Sequence, residues 1–150
     1  MTQKINDDHV FYRTPTKYYP TVERGEGVYI YDREGRQYID GSGGAAVVNI
    51  GHGVREVEEA MLKQAGRIAF THGTQFTSEA AVELAGRIVK MSPPGLSRVY
   101  FLSGGSEAVE TAMKMARQYQ VDRGFPLKFK VISRWASYHG NTLGALALSG

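Results

Sequence analysis

Residues 103–117 read S-G-G-S-E-A-V-E-T-A-M-K-M-A-R, and their types and order suit the capture of an anion. Residues 99–102, just before them, are a short apolar and aromatic run suited to a buried strand. Gly104 and Gly105 allow a sharp turn and the close approach of a ligand to the backbone. Ser106 then opens a helical pattern. A helix N-terminus presents unpaired N–H groups and a partial positive charge, which together suit a phosphate. The same residues fit a plainer reading equally well, in which Ser106 is an ordinary N-cap and Glu107 and Glu110 are acids near a helix start. Glu107 weighs against a phosphate unless its carboxylate points away.

Other chemistries find less support. There is no cysteine, which removes disulfides, thiol catalysis and cysteine-held metals. His9, His52, His72 and His139 show no metal-ligand spacing. The G-S-G-G-A-A run at 41–46 matches a dinucleotide fingerprint in its letters, yet Asn49, Gly51, His52 and Gly53 follow where a long helix should open. It reads instead as a flexible or substrate-lining loop. The net charge of +3 is spread over the chain without a basic cluster, so no nucleic acid is expected. No apolar run approaches membrane-spanning length, and the polar N-terminus lacks the apolar core of a signal peptide, so no membrane partner is expected and a cytoplasmic home is compatible.

The elements that position these residues follow from periodicity. With 150 residues, 42% hydrophobic and 22% charged, the chain has the composition of a globular protein with one modest core. Residues 1–22 are polar and aromatic, with Pro15 and Pro20 breaking any helix, and should pack on the body or on a partner. Residues 27–40 read as a β-hairpin around a loop containing Gly35. Amphipathic helices are predicted over 54–67 and 78–90, the second capped by Thr77 or Ser78. The helix begun at Ser106 should end at Gly124 and Pro126, and 129–133 should form the next strand. Strand, helix and strand make a βαβ unit with parallel strands, so Ser106 and Tyr138 are expected at the same edge of the sheet. Residues 143–148 are apolar and helix-like. Two core strands make a weak sheet, and the chain reads as the N-terminal portion of a longer one.

Together the motifs resemble one family. Residues 103–117 resemble the S-G-S-E-A-x-E-x-A-x-K-x-A-R signature of the class III (ω-amino) aminotransferases. Tyr138, His139 and Gly140 resemble their aromatic-His-Gly loop, and G-V-Y-I-Y-D-R-E-G-R-Q-Y-I-D-G with the later V-V-N-I-G-H resembles their early hairpin. The resemblance implies an α/β, aspartate-aminotransferase-like fold with a mostly parallel central sheet and helices on both faces. Residues 1–50 would belong to a small α+β domain and the active-site loop, and 51–150 to the first part of the large domain. It implies pyridoxal 5'-phosphate as cofactor, an amine donor and a keto-acid acceptor such as pyruvate as substrates, and a homodimer or dimer of dimers with its active site at the interface. Aminomutase or decarboxylating activity, or a non-catalytic phosphate- or nucleotide-binding module, are the alternatives.

Carried onto this sequence, the resemblance assigns Gly105 and Ser106 to the cofactor phosphate. Tyr138 would stack on the pyridine ring, with His139 supporting that wall. Tyr19, Ala46 and Thr74 are assigned to the substrate side, with 72–74 reaching the partner subunit's site. Gly104 stands where a small hydroxyl residue is frequent, and Ala46 where many relatives carry a large aromatic. The Schiff-base lysine of such enzymes has no matching motif in these 150 residues.

Overall fold

The computed structural model describes residues 8–149, which divide into two compact units, one ending at Phe76 and the other beginning at Thr77. The first is built on a three-stranded antiparallel sheet of order β1-β2-β3, with β1 at Val22–Glu26, β2 at Tyr29–Asp32 and β3 at Gln37–Ile39. The hairpin expected over 27–40 is therefore present. β1 is an addition. Its Glu, Arg and Gly residues are poor strand formers, and it is held by backbone pairing across a bulge at Glu23. A bridge between Gly27 and His52 ties the loop after β3 back to the sheet.

Asp32 organises the hairpin turn. It is only 2% exposed. It accepts hydrogen bonds from the amides of Glu34 and Arg36 at 3.0 and 2.9 Å, the Arg36 guanidinium at 2.8 Å and the Tyr38 hydroxyl at 2.7 Å. A buried carboxylate is tolerated when its lone pairs are filled in this way. Burial alone would push its pKa up. The bonds from Tyr38, Arg36 and Glu34 outweigh burial and hold it at about 2.

Short α1, Gly43–Ala46, is followed by α2, Arg55–Arg67, which matches the expected helix. In the second unit, α3 (Glu79–Met91) is capped by Ser78, whose hydroxyl accepts from the Ala81 amide. α4 spans Gly105–Asp122 and α5 spans Leu143–Ala147. Residues 99–102 and 129–133, expected as parallel strands, run without strand pairing. The side chain of Ile132 is 99% exposed, and a cavity of about 860 Å³ lined by Met113, Arg117, Phe129 and Val131 separates α4 from this segment. Two strands alone do not hold a ladder, because each lacks a second neighbour and a covered face.

Among the described residues no helix is long and apolar enough to cross a membrane, and no group of three or more His, Asp or Glu side chains is placed to hold a metal ion.

The Asp32 node makes acid sensitivity testable. Its folded pKa of about 2 lies below the ordinary 3.8, so the charged form is favoured by folding. Its contribution is complete above about pH 4 and is lost as pH falls toward 2. Urea unfolding of the full-length protein from pH 6 to pH 2 should show this loss, and Asp32→Asn should lower stability at neutral pH while flattening the acid limb. An unchanged acid limb would remove Asp32 as its source.

Candidate active site

Ser106 is not the cap of α4. The N-cap is Gly104, with extended backbone and no side-chain hydrogen bond to the helix, so Ser106 is the second residue inside the first turn. The plain-cap reading of Ser106 is thereby removed. A hydroxyl at this position is free to bond outside its own helix, and it does. Ser106 Oγ accepts from the Asn141 amide at 3.0 Å and donates to Asn141 Oδ1 at 3.0 Å. The 138–141 loop is thus held against the start of α4. The approach is close: a Cβ on Gly140 would lie 2.6 Å from Ser106 Oγ, and Gly140 has φ +134°, a conformation suited to glycine.

The first-turn amides of α4 have no side-chain cap, and nothing crowds the position a Cβ would take on Gly105. That combination, with a hydroxyl alongside, is what a dianionic phosphate requires. Glu107 works against it. A Cβ on Gly104 would lie 2.5 Å from a Glu107 carboxylate oxygen, so this exposed side chain folds back over the N-cap. Tyr138, in the adjoining loop, is 80% exposed. The backbone amide of His139 donates to Ser149 Oγ at 3.2 Å, while His139 Nε2 is buried without a hydrogen-bond partner among the described residues.

Glu110, one turn beyond Ser106, stands in the sequence as an acid near a helix start and as the second glutamate of the family signature. It accepts from the Gly144 amide at 2.9 Å, with the Thr142 hydroxyl nearby. The Thr142 hydroxyl and then the Gly144 amide hold its carboxyl below the usual range, against the effect of burial. No sequence signal links Glu110 to residues 34 positions away.

The residues assigned to the substrate side by resemblance all belong to the first unit, and each is tied to neighbours of its own. Tyr19 stacks on Tyr12, with ring centroids 4.6 Å apart. Thr74 Oγ1 bonds His72 Nδ1 at 2.8 Å. Ala46 lies in α1, which is a left-handed turn: Gly43, Gly44, Ala45 and Ala46 have φ of 54°, 61°, 62° and 65°. Asp40 holds this turn. It accepts from the Gly44 amide at 3.3 Å and pairs with His52 Nε2 at 2.9 Å. The His52 bond is the main reason its carboxyl titrates below the usual range. A cavity of about 280 Å³ beside the turn is lined by Asp40, Ser42, Ala46, Val48 and His52.

The aminotransferase class-III family model matches residues 11–150. An uncharacterised aminotransferase of Bacillus subtilis, YodT, is 48% identical over 132 residues, covering 88% of this chain and 30% of that protein. The putrescine–pyruvate aminotransferase of Pseudomonas aeruginosa is 38% identical over 130 residues, covering 86% and 28%. Among solved structures, an (S)-enantioselective ω-transaminase from Thermomicrobium roseum superposes with a TM-score of 0.89 at 40% identity, covering 95% of this chain and 33% of that one. The chain belongs to the class III aminotransferases, a pyridoxal-phosphate-dependent family, and spans about 30% of the length of these relatives.

The left-handed turn gives a prediction of opposite signs. Alanine in that conformation costs roughly 1–2 kcal/mol, so Ala45→Gly should leave stability unchanged or raise it by up to about 1 kcal/mol. Ala60→Gly, inside right-handed α2, should lower it by about 1 kcal/mol. Chemical denaturation of both variants of the full-length protein measures the contrast, and equal losses would contradict the left-handed geometry.

Proposed function

We propose that this chain supplies the phosphate-binding corner and part of the substrate wall of an aminotransferase that moves an amino group between an amine or ω-amino acid and a keto acid such as pyruvate. The observation that carries the reading is the start of α4: uncapped amides, open space at Gly105, and the Ser106 hydroxyl beside the 138–141 loop. Family membership and the chemistry of this corner support the same cofactor. When bound, pyridoxal phosphate would link to an amine through its aldehyde and delocalise the electrons left at the deprotonated carbon.

The residues present fit that group. The amides of Gly105 and Ser106 would face the phosphate, and the Ser106 hydroxyl would donate to it. Ser106 can do so by turning its proton away from Asn141 Oδ1 while still accepting from the Asn141 amide. Exposed Tyr138 offers a flat face for the pyridine ring, and His139, from the next position, would back it. Tyr19, Ala46 and Thr74 would line the substrate side. The small Ala46 leaves room where a large aromatic would narrow the pocket. The family resemblance supports a mostly parallel sheet for the large domain, residues 1–50 in the small domain and active-site loop, residues 51–150 in the large one, and a homodimer with shared sites.

Titration of the full-length protein with pyridoxal phosphate should produce an absorbance band that an amine donor bleaches and a keto acid restores. Absence of both responses would refute the aminotransferase reading. Ser106→Ala removes a charge-assisted hydrogen bond of roughly 1.5–3 kcal/mol and should weaken cofactor binding roughly 10–100-fold. Unchanged affinity would refute the phosphate assignment. Glu107→Gln removes a like charge at the helix entrance and should tighten binding by roughly two- to fivefold. Weaker binding would show that this carboxylate does not oppose the phosphate.

A further inference from the structure

Ser106 and Glu110 lie four residues apart on α4, and so on one face of it. Each engages the 140–145 segment, and each meets a glycine. Ser106 bonds Asn141 and packs on Gly140; Glu110 bonds the Gly144 amide, with Thr142 beside it. A Cβ on Gly144 would lie 2.5 Å from a Glu110 carboxylate oxygen, as a Cβ on Gly140 would lie 2.6 Å from Ser106 Oγ. The two glycines are themselves four residues apart, so the segment runs along the helix as a ladder with two rungs. Thr142 lies between the rungs, and its hydroxyl caps α5 at the Ala145 amide, 3.4 Å away. Buried Ala145 lies beneath this junction.

We propose that Glu110 is a positioning residue for cofactor binding: by holding Gly144 it fixes the 138–141 loop against α4 and so sets the orientation of the Ser106 hydroxyl. The carboxylate never reaches the phosphate itself. Its effect passes through Asn141, whose amide keeps one side of Ser106 Oγ occupied and leaves the hydroxyl proton to turn toward the helix entrance. A carboxylate suits the task because an ionised acceptor makes a stronger bond to the Gly144 amide than a neutral one. This inference rests on the phosphate reading of the α4 N-terminus given above.

The test is a double-mutant cycle on pyridoxal phosphate affinity in the full-length protein, with the thermal midpoint of the cofactor-free form measured alongside. Glu110→Ala should weaken binding by about tenfold, and Ser106→Ala by roughly 10–100-fold. The double variant should bind like Ser106→Ala alone, since Glu110 acts only through that hydroxyl. Glu110→Gln keeps one oxygen for the Gly144 amide and should recover most of the affinity; it also serves if Glu110→Ala does not fold. Gly144→Ala, which presses a methyl on the carboxylate, should reproduce the loss. Losses that multiply in the double variant, or wild-type affinity in Glu110→Ala, would overturn the positioning role while leaving the phosphate reading intact. Failure of the wild-type protein to bind, or unchanged affinity in Ser106→Ala, would instead strike the phosphate reading and this inference with it.

Discussion

A serine hydroxyl has one proton to give, and the geometry of the second unit turns on where Ser106 gives it. Its oxygen receives the Asn141 amide and its proton goes to Asn141 Oδ1, which closes a 35-residue separation with two hydrogen bonds. The Asn141 amide is a fixed backbone donor. The Asn141 side chain is an exchangeable acceptor, and a dianionic phosphate at the helix entrance is a stronger one. Holding one side of the oxygen while leaving the other contestable lets the corner be ordered before a ligand arrives. Preorganisation of this kind lowers the ordering cost of binding.

The first unit uses charge differently. Asp32 and Asp40 each gather several donors, Asp32 inside the hairpin turn and Asp40 below the left-handed turn. A left-handed turn containing two alanines does not persist on local preference, because alanine disfavours that region. It persists where surrounding bonds over-determine it. The Gly44 amide on Asp40, and Asp40 on His52, provide such bonds from the end of β3 and from the bridge that joins Gly27 to His52. Strain held this way favours one presentation of Ala46 over a mobile one.

Legibility in the sequence followed the range of the interactions. The 27–40 hairpin, α2 and α3 were readable because alternation, helical periodicity and the Ser78 cap are local signals. β1 was not, since Glu23, Arg24, Gly25 and Glu26 carry no apolar alternation and pair through backbone alone. Residues 99–102 and 129–133 have strand composition, yet pairing needs neighbours as well as letters. At the site, the G-G-S run pointed to a helix entrance, but only the structure placed the cap at Gly104 and released Ser106 for other work. Glu110 was legible as an acid and a signature position; its partner Gly144 is brought to it by tertiary contact.

The central claim is that the start of α4, with Ser106, receives the cofactor's phosphate. A crystal structure of the full-length protein grown with pyridoxal phosphate tests it most directly. The expected result has phosphate oxygens within hydrogen-bond reach of the Gly105 and Ser106 amides. Ser106 Oγ would be bonded to the phosphate and still receive the Asn141 amide, with Asn141 Oδ1 displaced. A phosphate bound elsewhere, or a Ser106 hydroxyl still closed on Asn141 Oδ1 in the loaded protein, would contradict it.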